Sequence, residues 1–300
     1  MAFFRKHTGR ASYDLFSNYA HYVPGYGGMG MLFLMFIIGT LLGSLLVGVM
    51  GFVSPEFAQL YGTVISYPLM FIPALLYASA QSRRNEFFET GYALDSSNFG
   101  QLGGFKMAVI VSIATIATAF IVDSLNVIMP ETPEWFEDAM SQIMDAPVWI
   151  TLISVSVFAP LFEEWLCRGL VLRGLLQKTH PVSAIMVSSA FFAVLHMNPW
   201  QALPAFLLGV LFGYVYYKTG SLKLTMLMHC VNNTFSLLLS KIPGLEDIES
   251  FMDILSPWAY AGIYVACVLM LASAVILITG IPVKDTKMGG CDEVDALSID

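Results

Sequence analysis

"PVWITLISVSVFAPLFEEWLCRGLVLRGLLQK", residues 147–178, decides how this chain folds. Up to Phe162 the stretch is apolar apart from Thr151, Ser154 and Ser156, and then Glu163, Glu164, Arg168 and Arg173 follow within eleven residues. Read as one helix of about 30 residues, it places Glu163 about 22 Å from its C-terminal end at 1.5 Å per residue. At such depth in a bilayer an ionisable side chain costs about 2.5–3.5 kcal/mol unless it is paired or hydrated. These residues therefore need partners or a purpose.

The rest of the chain supports the bilayer setting. Hydrophobic residues make up 57% of the sequence and charged residues 12%, with a mean hydropathy of +0.70, far from the balance of a soluble domain. Apolar stretches run over 29–53, 61–80, 104–128, 147–162, 181–195, 202–217, 221–240 and 256–281. The expected fold is all-α, a polytopic integral membrane bundle of about eight membrane helices with a mid-membrane site open to the cytoplasm. The expected divisions are an N-terminal cytoplasmic segment (1–28), three accessory membrane helices (29–128), an outer acidic segment (129–146), a core (147–240), and a last membrane helix with an acidic tail (241–300). The first apolar stretch has no small-residue cleavage site after it and reads as a retained span. Cys167, Cys230, Cys267 and Cys291 show no paired spacing and read as small buried hydrophobes.

Basic residues set the orientation. Arg5, Lys6, Arg10, Arg83, Arg84, Lys106, Arg173, Lys178, Lys218, Lys223, Lys284 and Lys287 all fall at alternate connections or the termini, whereas the other connections are acidic or carry a single lysine. The positive-inside rule puts both termini and the first set in the cytoplasm of a multi-pass plasma (cell) membrane protein. The net charge of −8 argues against nucleic acid as a partner. Residues 130–147, "PETPEWFEDAMSQIMDAP", read either as an interfacial amphipathic helix or as a partly ordered outer loop.

Four further polar residues fall in apolar segments: His196 in "FFAVLHMNPW", and His229, Asn232 and Asn233 in "LTMLMHCVNNTF". Pro199 is expected to break the helix after His196, with Pro204 favouring the start of the next, so that the two form a hairpin that does not cross. Glu163, His196, His229 and Asn233 then converge in the membrane, and His229 and Asn233, four apart, share a helix face. Glu164 and Arg168, also four apart with the acid first, read as an intrahelical ion pair bracing the wall. Pro160 is expected to open the helix ahead of the site, and Arg173 to mark the approach to the cytoplasm without a chemical role.

A partly desolvated Glu163 suits general base and acid work, with His196 flanking the same water. His229 and Asn233 could donate to a developing oxyanion. The motifs EExxxR (Glu163, Glu164, Arg168), FxxxH (Phe192, His196) and HxxxN (His229, Asn233), in this order, resemble the CPBP family of CAAX proteases and bacteriocin-processing enzymes, also called the abortive-infection family. The resemblance covers about residues 147–240, and Cys167 departs from it where the family often has an aromatic residue. It implies an intramembrane endopeptidase similar to the Ras-converting CAAX protease. In it Glu163 and His196 would activate water, His229 and Asn233 would bind the oxyanion, and Glu164 and Arg168 would support the site or contact the substrate.

Zinc stays open as an alternative, since Glu163, His196 and His229 compose a plausible ligand set. It would leave only Glu164 as base, so a metal-independent mechanism with no cofactor is favoured. The expected partners are a membrane-associated protein or peptide substrate and the lipid bilayer. A non-catalytic scaffold or bacteriocin-immunity role is the second reading. A proton-coupled transporter is the third, weakened by the lack of an inverted repeat.

Overall fold

The computed structural model describes residues 17–144, 146–244, 250–283 and 287–288. Arg5, Lys6, Arg10, Lys284, Cys291 and the acidic tail from 292 lie outside the described residues. Nine helices are present among the described residues: α1 (Tyr26–Val53), α2 (Pro55–Asn85), α3 (Gly103–Asp123), α4 (Glu134–Met144), α5 (Val148–Leu176), α6 (Pro181–Leu195), α7 (Pro199–Thr219), α8 (Leu222–Leu239) and α9 (Pro257–Thr279). A two-residue strand pair, Gly91–Tyr92 with Lys287–Met288, is the only sheet among them.

Six helices are long and apolar enough to cross a membrane: α1, α2, α3 (extended to Ile128), α5, α7 and α9. The 15-residue α6 is apolar but short, and α8 carries His229, Asn232 and Asn233. α1 and α9 turn Leu41, Leu45, Phe52, Trp258, Leu269 and Ile276 outward, as lipid-facing helices do. The chain is an all-α polytopic membrane bundle.

Local chemistry sets the helix boundaries. Ser54 caps α2 through Phe57 N–H, Asn198 caps α7 through Gln201 N–H at 2.8 Å, and Ser221 caps α8 through Leu224 N–H. Prolines 55, 181, 199 and 257 each open a helix, where the missing N–H costs nothing. α7 ends at Gly220 with φ +62°, and a Cβ there would meet Ser96 Oγ at 2.6 Å. Pro199 thus starts α7, and the break after His196 lies at Met197, which has φ 52°. Pro204 sits inside α7 and does not begin it, because Asn198 and Pro199 already supply its cap and first residue.

α5 is continuous over its 29 residues but not uniformly α-helical. Two π-helical runs, Leu152–Phe158 and Trp165–Leu172, flank the short α-helical stretch Ala159–Glu164. Such widened turns commonly occur at functional sites. From Glu164 to Leu175 every residue of α5 is buried, so this half of the helix is the packed axis of the bundle.

Arg173 is part of that axis and does more than mark a membrane boundary. Only 2% exposed, it donates to the carbonyls of Gly169, Ala20, Tyr19, Tyr22 and Tyr92. It ties residues 19–22 and the 91–92 strand to α5. Lys178 adds a bond to Val23 O at 2.9 Å.

Candidate functional site

Glu163 and Glu164 are adjacent on α5 and have different surroundings. Glu164 is fully buried, and its Oε1 accepts from Arg168 Nη1 at 2.7 Å and lies 3.0 Å from His229 Nδ1. The intrahelical pair expected from the spacing is present and has a third member from α8. Arg168 also donates from Nη2 to Gly209 O at 3.1 Å, and its guanidinium lies over the Phe192 ring at 4.6 Å. Neither Glu164 nor Arg168 lines the cavity described below.

Glu163 faces the other way, into a cavity of about 590 Å³. Its Oε1 accepts a hydrogen bond from the Tyr67 hydroxyl of α2. Its Oε2 is buried without a hydrogen-bond partner and lies 4.0 Å from His229 Nε2. His229 therefore spans the two carboxylates: a carboxylate can only accept, so Nδ1 carries the proton toward Glu164, and Nε2 faces Glu163.

His196 ends α6 on the cavity wall. Its Nδ1 is 3.0 Å from Phe192 O, which fixes the proton on Nδ1 and leaves Nε2 as an acceptor. The Phe192 ring meets both imidazoles edge to face, His196 at 5.2 Å and His229 at 5.5 Å between centroids. The phenylalanine of FxxxH thus spaces the two histidines and covers Arg168.

Asn233 reaches α5 through a gap that Pro160 creates. In the first π run Ala159 N–H bonds Ser154 O, five residues back. The next bond in that register would run from residue 160 to Val155 O, and proline has no N–H. Asn233 Nδ2 supplies the missing donor to Val155 O at 2.8 Å, while Asn233 Oδ1 accepts from Asn232 at 3.1 Å. Pro160 does open the helix wall, and the opening is filled by an asparagine from α8.

The cavity walls come from Phe36 on α1, Tyr67 on α2, Val155 and Ala159 on α5, Asn232 and Ser236 on α8, and the α6–α7 turn. Along α5 beyond Glu163, Trp165 to Leu175 are packed in the core.

Residues 134–144 form the helical alternative, α4, with Phe136, Met140 and Ile143 lining the cavity and Glu137 and Asp138 exposed. Trp200 of the α6–α7 turn packs on Phe136 at 5.2 Å and bonds Pro130 O at 2.9 Å. The amphipathic helix forms one side of the cavity.

Glu163, His196, His229 and Asn233 all line this one cavity. Sequence reasoning missed Tyr67, whose only signal was one hydroxyl among several in its span, beside Tyr61, Thr63, Ser66 and Tyr77. Among the described residues no group of three or more His, Cys, Asp or Glu is arranged to hold a metal ion. Nδ1 of both histidines is held by a protein acceptor, which leaves both Nε2 atoms available. Cys167 and Cys267 are buried free thiols and Cys230 is half-buried.

Residues 145–235 match the family model described as type II CAAX prenyl endopeptidase Rce1-like. The match is confined to that segment, from just before α5 into α8 of the membrane bundle. A curated relative, the "Putative membrane peptidase YdiL" of Bacillus subtilis (strain 168), is 24% identical over 104 residues. The match spans 35% of this chain and 41% of the relative. No solved structure matches the chain.

Proposed function

We propose that this protein is an intramembrane endopeptidase that hydrolyses a peptide bond of a membrane-associated protein or peptide. One observation carries the reading: Glu163 lines the cavity that His196, His229 and Asn233 also line, and its Oε2 is buried without a hydrogen-bond partner. Such a carboxylate oxygen is suited to take a proton from water.

In the proposed reaction a water held between Glu163 Oε2 and His196 Nε2 attacks the scissile carbonyl carbon. Its proton passes to Glu163 as the carbon–oxygen bond forms. His229 and Asn233 face the same space and stabilise the oxyanion, Asn233 through its second amide hydrogen. A protonated His229 donates from Nε2 and also balances two carboxylates against the one guanidinium of Arg168. The C–N bond then breaks, and Glu163 returns the proton to the leaving amine. Neither nucleic acid nor a cofactor has a part in this reaction.

We place the basic end of the bundle in the cytoplasm of a cell membrane, with both termini on that side. A substrate segment reaches Glu163 through the cavity or laterally from the bilayer. Its apolar residues meet the aromatic wall of α4 and Trp200. Comparison of the membrane peptidomes of wild-type and Glu163→Gln cells tests the activity: cleavage products are expected to disappear in the variant, and an unchanged peptidome overturns the reading. Cleavage is expected to survive a strong chelator. A stoichiometric metal whose removal abolishes cleavage overturns the metal-independent mechanism.

A further inference from the structure

The first three helices, α1 to α3, carry no motif, yet one of them reaches the proposed base. Tyr67 lies on α2, ninety-six residues before Glu163 and outside the matched segment 145–235. Its hydroxyl donates to Glu163 Oε1, and its ring packs beside Phe71 at 5.9 Å, which itself stacks on Phe162 of α5 at 5.3 Å. α2 is held at this distance by α1, since a Cβ on Gly39 would sit 2.0 Å from Met70 O.

A carboxylate beside a cavity can rotate and present either oxygen. A phenol donating to Oε1 removes that freedom: it leaves Oε2 as the oxygen without a partner and directs it toward His229 and the cavity. His229 does not fix this choice alone, because its Nδ1 is engaged by Glu164 and its Nε2 is 4.0 Å away. Glu164 Oε1 and Arg168 Nη1 on the same helix pair with each other and not with Glu163. Tyr67 supplies the only hydrogen bond to Glu163 among the described residues.

We infer that Tyr67 is a positioning residue for Glu163, selecting Oε2 as the oxygen that receives the proton, so that α2 completes a site the matched domain leaves unfinished. This rests on the protease reading above. It also gives the accessory helices a role, since α1 and α2 hold the hydroxyl in place.

The test uses full-length protein in detergent, labelled with ¹³C-carboxyl glutamate, and Tyr67→Phe, which keeps the ring packing. Infrared difference spectra against Glu163→Gln isolate the Glu163 band. Tyr67→Phe is expected to shift that band while thermal stability stays at the wild-type value. Products that vanish in Glu163→Gln cells are expected to fall about ten- to a hundredfold in Tyr67→Phe cells, the range for a hydrogen bond to a charged group. In a Glu163→Gln background Tyr67→Phe is expected to add nothing.

An unshifted band, or products at wild-type abundance in Tyr67→Phe where Glu163→Gln removes them, overturns the inference alone. Products unaffected by Glu163→Gln overturn the protease reading instead.

Discussion

Replacing Arg168 by methionine tests whether the buried Glu164–Arg168–His229 network holds the bundle or serves the chemistry. The side chains of Glu164 and Arg168 are fully inaccessible. Methionine keeps most of the arginine stem but removes the donor to Glu164 at 2.7 Å and the donor to Gly209 O at 3.1 Å. Glu164 is then a buried carboxylate with His229 alone, a change that costs about 3–5 kcal/mol. Against a total stability of about 5–15 kcal/mol, that is a large share. Heating the purified protein in detergent and following the monodisperse fraction should show a midpoint lower by roughly 10 °C.

Glu164→Leu combined with Arg168→Met removes both charges and should recover most of that loss, because a buried ion pair replaced by apolar groups is often neutral. Cleavage should not recover with it. His229 loses its Nδ1 acceptor, so Nε2 is no longer held toward Glu163. A single variant as stable as wild type would refute the buried-charge argument. A double variant that cleaves normally would refute the orienting role of Glu164.

Asn233→Leu should cost about 1–3 kcal/mol by leaving Val155 O without a donor, and Pro160→Ala in that background should restore part of it by returning a backbone N–H; thermal unfolding of the single and double variants measures both. Gly39→Leu should push α2 away from α1, since its Cβ would sit 2.0 Å from Met70 O, separating Tyr67 from Glu163 and abolishing cleavage in the peptidome comparison. Arg173→Met should destabilise the N-terminal segment selectively, read as faster amide hydrogen exchange at residues 19–22.

Composition and hydropathy alone determined that this chain is a helical membrane protein, because burial of the backbone in hydrocarbon leaves few other structures. The one-helix features were legible for the same local reason: the Glu164–Arg168 pair four apart, the stop between His196 and Pro199, and the shared face of His229 and Asn233 all follow from helical periodicity. The amphipathic segment was legible only as two alternatives, which packing on Trp200 resolved into a helix. Contacts between helices were not legible, because they depend on rotation and register that no single segment encodes. The Tyr67 bond to Glu163, the His229 bridge between two carboxylates, and Asn233 in the place of a proline's missing N–H belong to that class. The cavity itself was likewise decided by packing, since its lining is gathered from several helices whose mutual rotation no single segment encodes.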